Sequence, residues 1–129
     1  MPQALEVILM RQLANYLSVP VFIVGADELL LYYNEAAEAL LGRPYSDAGQ
    51  MTVHDLASIF QVVDSKGGPL SWERLPIAIA LREHRPSHAR IHFQALDGVL
   101  HDVEVTAFPL EGQAERALGA AAIFWESQP

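Results

Sequence analysis

The chain has 129 residues, 51% hydrophobic and 19% charged, with a net charge of −8, which suits one globular domain and excludes a disordered chain. The acidic balance argues against a phosphate-binding nucleic-acid surface and against an anionic membrane surface. Cysteine is absent, so disulfides, thiolate nucleophiles and Cys-ligated metals are excluded; no apolar run nears the roughly 18 residues of a bilayer span, no secretion signal opens the chain, and a cytoplasmic location is expected.

Residues 3–17 read as a helix. Leu5, Ile8, Leu9, Leu13 and Tyr16 follow the i, i+3, i+4 rule, and Val7, Met10, Ala14 and Leu17 form a second apolar row. A helix apolar on two flanks needs cover on two flanks. The domain's own sheet would take one and a second copy of the chain the other, unless both are buried within one monomer. Leu5, Leu9, Met10 and Leu13 are therefore candidates for a homodimer interface.

Two short strands, 20–24 and 29–33, form a hairpin around the turn Gly25-Ala26-Asp27-Glu28. Asn34 is placed to cap a helix over 35–41, with Gly42 as its left-handed stop and Pro44 just beyond. Thr52 would cap a second short helix over 53–60. The loop 64–69 has glycines but lacks the spacing and Lys-Ser/Thr ending of a phosphate-binding loop. A longer helix follows over 72–84; Pro76 suits a first turn, so its regular part begins there.

The segments 89–95 and 101–108 alternate with period two on either side of Asp97-Gly98. A two-residue loop would set Phe93 opposite Asp102 and Ile91 opposite Glu104, mixing apolar and acidic rows on one face. A three-residue loop, Leu96-Asp97-Gly98 with Gly98 left-handed, pairs Phe93 with His101, Ile91 with Val103 and Ala89 with Val105. The other face then pairs Arg90 with Glu104 and His92 with Asp102. A last strand over 118–125 closes the chain. Ala121, Ile123 and Trp125, with Phe108 on the neighbouring strand, would lie on the outer face and need cover. Ile123 and Trp125 join the candidate dimer surface.

The whole is an α+β layout. Within it, Pro20-Val21-Phe22-Ile23-Val24, the run from Asn34 through Ala36, Leu40 and Gly42, Leu96-Asp97-Gly98, Val103-Glu104-Val105 and Gly119 through Phe124 together resemble a PAS domain. The resemblance spans residues 18–126. It implies a five-stranded antiparallel sheet curved around a small pocket, short helices over one face, and residues 1–17 as a flanking helix for dimerisation or sheet cover ahead of a sensory domain over 18–129. It further implies a sensory or signal-transduction module of the kind found in bacterial sensor kinases and two-component or transcription regulators. Such a module relays the state of a bound small ligand to an effector, or serves only to dimerise and scaffold. The usual Asp-x-Thr ending is replaced by Glu126-Ser127-Gln128, so the coupling threonine is missing.

Matching the last strands to this family places Ile91, Phe93, Val103, Val105 and Phe124 on the concave face, where they either line a cavity or fill it. His101 begins that row and is the candidate polar anchor. Trp72 would cap the pocket mouth or anchor the long helix, and His54 is a further candidate contact. The family's cysteinyl-flavin and coumaroyl chemistries need a cysteine and are excluded. Its flavin-contacting positions are held here by Phe93, Val103 and Phe124. His84 and His88 lie near the long helix but do not match the haem pattern, so the cofactor is left open. His54 and Asp55 point to different faces of a helix, and no metal site is expected. With no Gly-x-Ser-x-Gly elbow and no His-Glu-x-x-His, no enzymatic activity is expected.

Overall fold

The computed structural model describes residues 5–41, 51–55, 62–64, 68, 71–94, 98, 100–112 and 117–126. Chain order is α1 (Leu5–Tyr16), β1 (Val21–Gly25), β2 (Leu30–Tyr33), α2 (Glu35–Leu41), β3 (Val63–Asp64), a 3₁₀ turn (Trp72–Arg74), α3 (Pro76–Glu83), β4 (Ser87–Gln94), β5 (Leu100–Glu111) and β6 (Ala117–Glu126). The strands form one antiparallel sheet in the order β2-β1-β6-β5-β4-β3. The five expected strands are all present, and the two-residue β3 extends the edge beside β4. β1 and β6, the first and last strands, lie side by side in the middle.

The β4–β5 register is the one that the alternation predicts. Phe93 pairs with His101, Ile91 with Val103, Ala89 with Val105, Arg90 with Glu104 and His92 with Asp102. Gly98 has φ +85°, as a left-handed loop residue requires; Leu96 and Asp97 lie outside the described residues. On the outer face the side chains do not simply pair straight across. Arg90 reaches diagonally to Asp102 through two hydrogen bonds of 3.0 and 2.6 Å, and His92 Nε2 lies 3.3 Å from the same carboxylate. The Asp102 hydrogen bonds and charge raise the pKa of the Arg90 guanidinium further. His88 meets Thr106 Oγ1 at 2.7 Å and Glu104 at 3.5 Å.

The sheet separates two apolar clusters. On the inner face Phe22, Val24, Ile91, Phe93, Val103, Val105, Ala107, Ala120 and Ala122 pack beneath α2, Met51, Val53 and α3. On the outer face Val21, Ile23 and Ala121 pack beneath Val7, Met10 and Ala14 of α1, with Ile123 and Phe108 beside them. The two rows of α1 thus have different fates. Val7, Met10 and Ala14 fall at i, i+3 and i+7 and face the sheet. This corrects the expectation for Met10, which is only 9% exposed and buried inside the monomer. Ile123 is likewise partly buried in that cluster and not left bare on the sheet. Leu9 and Leu13 stay 53% and 52% exposed, and Leu5, Ile8 and Tyr16 share that open side.

Local signals set the element ends. Pro76 starts α3 in its first turn, after Leu75 in an extended conformation, and the 72–74 stretch is a separate 3₁₀ turn. His84 closes α3 in the left-handed region at φ 56°, its N–H donating to Ala80 O. Thr52 and Asp55 cap each other's backbone N–H at 3.1 and 3.0 Å, a reciprocal capping pair. Only residues 53–55 of the expected 53–60 helix are described, and Gly42, Pro44 and most of the 64–69 loop lie outside the described residues.

Candidate functional site

Asn34 is the buried polar side chain around which the N-terminal third is built. Its Oδ1 accepts from Ala37 N–H at 3.0 Å, the cap expected from sequence. The same oxygen accepts from Val21 N–H at 3.0 Å. Its Nδ2 donates to Ala14 O and Val19 O, both at 2.9 Å, and reaches Leu17 O at 3.5 Å. One amide therefore joins the end of α1, the connector 17–20, β1 and α2. Arg11 stacked over the Tyr32 ring, and Tyr32 Oη bonded to Asn15, hold α1 to β2 as well.

Beside this junction lies a cavity of about 570 Å³, open on one side. Ser18, Val19 and Pro20 of the connector form one wall, and Ala36, Ala39 and Leu40 of α2 a second. His101 and Val103 of β5 with Phe124 and Trp125 of β6 form the floor and rim. The chain folds this way because β1 begins at Val21, paired with Ile123, so β6 runs on past the end of β1. The overhang leaves Phe124 and Trp125 to be met by the connector and α2. Phe124 N–H still donates to Pro20 O at 3.0 Å, which holds the connector against the overhang.

His101, Val103 and Phe124, all candidates from sequence, come together at this cavity. Phe93 stands behind His101, their rings stacked at 5.2 Å and 20°. Phe22 packs on Phe124 at 5.0 Å and on Tyr33 at 5.3 Å, so aromatic rings occupy part of the inner face. Ile91 and Val105 are buried core residues away from the lining. His54 is exposed and is corrected as a ligand contact: its neighbour Val53 takes the buried position, and adjacent helical residues face different ways. The Trp72 side chain lies outside the described residues. Trp125, paired with Glu104, lies on the expected outer face and borders the cavity rim; it is 42% exposed, because beyond Ile123 it has no β1 neighbour to pack on.

Sequence reasoning missed the connector wall and α2. Ala36, Ala39 and Leu40 do fall at i, i+3, i+4 and carry a readable signal. Ser18, Val19 and Pro20 carry none. Among the described residues no group of three metal-ligating side chains comes together, and no helix is long and apolar enough to cross a membrane.

The architecture is thus one antiparallel sheet with helices over both faces and a cavity at one end of the sheet. No family model and no curated protein matches the sequence. Solved structures do match. A Rhodobacter sphaeroides LOV protein is similar with a TM-score of 0.74 and 14% identity, over 95% of this chain and 68% of that one. The PAS domain of the fruit-fly ELK potassium channel gives a TM-score of 0.73 and 10% identity, covering 93% of this chain and 95% of that one. The PAS domain of nitrogen regulation protein NR(II) from Vibrio parahaemolyticus gives 0.65 and 19% identity, covering 92% and 98%. The chain has the PAS fold.

Proposed function

We propose that this PAS-fold domain senses a small molecule in the cavity at the sheet end and relays occupancy through α1 to a kinase or transcriptional effector, as a non-enzymatic cytoplasmic homodimer. The observation that carries this reading is the position of the cavity. Its wall is the connector between α1 and β1, so an occupant would touch the segment that sets where α1 lies. The open side of α1, with Leu5, Leu9 and Leu13, supplies an apolar stripe that a second copy would cover. A second reading, a dimerisation scaffold with a filled core, is favoured by the Tyr33–Phe22–Phe124 aromatic row.

Native mass spectrometry of freshly purified protein, followed by denaturing mass analysis, tests the proposal. The expected result is a dimer carrying a small mass that is lost on denaturation. A dimer without extra mass would favour the scaffold. The dimer surface has its own test. Leu9→Glu is expected to leave the stability of the monomer itself within about 0.5 kcal/mol, because the site is exposed in the monomer. It should shift the dimer to monomer by analytical ultracentrifugation. An unchanged dimer would remove α1 from the interface. Ala39→Leu should fill the cavity from α2 and abolish the extra mass while the fold persists. Retention of that mass would place the ligand elsewhere.

A further inference from the structure

The chemistry of the cavity wall selects a class of ligand, an inference that rests on the sensing role proposed above. We propose that the site takes an uncharged, mainly apolar molecule with one hydrogen-bonding group, such as a phenol, and discriminates against organic anions. Among the described lining residues the side chains with hydrogen-bonding groups are Ser18, His101 and, at the rim, Trp125, and none is Lys or Arg. Four of the five described arginines are committed elsewhere. Arg82 pairs with Glu28, Arg85 with Glu83 and Arg90 with Asp102, while Arg11 lies over Tyr32. A carboxylate or phosphate entering this wall would lose hydration without gaining a Lys or Arg partner among the described lining residues, which is costly. The net charge of −8 adds a long-range penalty for anions.

His101 supplies the directional contact. Its ring is held parallel to Phe93, which fixes its plane, and it borders the cavity beside Val103. A ring nitrogen of imidazole either donates or accepts, and a hydroxyl can answer it in either role. The rest of the wall offers Val19, Pro20, Leu40 and Phe124 for an aliphatic or aromatic body.

A matched series of probes tests this on the full chain at pH 7.5: 4-propylphenol, propylbenzene and 4-propylbenzoate, followed by saturation-transfer NMR and calorimetric titration. At that pH the phenol is neutral and the benzoate ionised. The phenol is expected to bind best, the hydrocarbon about 3- to 10-fold more weakly, the loss of one hydrogen bond, and the benzoate at least about tenfold more weakly. His101→Phe keeps the ring stack on Phe93 and removes both ring nitrogens. It should bring the phenol down to the affinity of the hydrocarbon and leave the hydrocarbon unchanged. Benzoate binding as tightly as the phenol would overturn the ligand class while leaving the sensor intact. Equal loss of phenol and hydrocarbon in His101→Phe would overturn the role of His101. If no probe shows saturable binding, the ligand class is overturned, and the sensing role then stands or falls on the bound mass in the native spectrum.

Discussion

Gly119→Ala is expected to lower the melting temperature by about 10–20 °C, or to prevent folding altogether. Gly119 lies in the middle of the sheet, paired with Gly25 of β1 on one side and Leu110 of β5 on the other. Its φ is +150°, a region that L side chains rarely adopt. A Cβ placed there would stand 2.0 Å from Val24 O, 3.0 Å from Gly25 Cα and 3.1 Å from Val24 C. All three are backbone atoms of the adjoining strand, so no side-chain rotation relieves the clash. Either β1 moves off β6 or β6 changes its φ, and both break the central β1–β6 ladder. Backbone strain of about 1–3 kcal/mol and overpacking of about 1–3 kcal/mol add to roughly 2–6 kcal/mol. That is a large part of the total stability of an ordinary domain. At a few degrees per kcal/mol for a chain of this size, the shift follows. Gly98→Ala is the control. Gly98 also has positive φ, at +85°, but a Cβ there would meet no atom within 4 Å. Its cost should stay near the roughly 1 kcal/mol of a left-handed alanine. Thermal denaturation followed by circular dichroism compares the two. Equal losses would mean that the close approach of β1 to Gly119 is not a constraint on the fold.

The contrast between those two glycines bears on what a reader of the sequence can see. Gly98 was legible because a hairpin loop is local and its register is checked twice, by the apolar row on one face and the charged row on the other. Gly119 was not legible, because the atom that forbids its side chain belongs to Val24, far away in the chain. The same division holds at the site. The family resemblance placed Val103, Phe93 and Phe124 on the inner face, but it could not say at which end of the sheet space would remain. That depends on where β1 begins relative to β6, a matter of long-range register. For α1 the sequence showed two apolar rows of similar strength, and only the packed structure separates Met10, turned to the sheet, from Leu9, turned away. Alternation along β6 holds as far as Trp125, but that the strand runs past β1 and so brings this residue to the cavity rim is something alternation alone does not encode.

Asn34→Ala and Asn34→Asp should fail in different ways, and the difference would show whether this amide ties α1 to the cavity wall. The alanine variant removes the acceptor for Ala37 N–H and Val21 N–H and the donor to Ala14 O and Val19 O. Loss of a helix cap costs about 0.5–2 kcal/mol, and each buried group left unpaired about 1–3 kcal/mol. Water reaching some of these groups limits the total, and roughly 3–5 kcal/mol is expected. The aspartate variant keeps an oxygen for Ala37 and Val21 but turns the donor into a second oxygen facing two carbonyls. β1 and α2 should then hold while the connector and α1 are repelled. Hydrogen exchange reads this residue by residue. In Asn34→Asp the amides of α1 should lose protection far more than those of Ala37 or Val21, whereas in Asn34→Ala both sets should lose it. Because Val19 both accepts from Asn34 and lines the cavity, the aspartate variant should also weaken binding of a neutral probe such as 4-propylphenol. If α1 keeps its protection in both variants, the packing of Val7, Met10 and Ala14 holds the helix by itself. Asn34 would then be a cap for α2 and no part of a path from the cavity to α1.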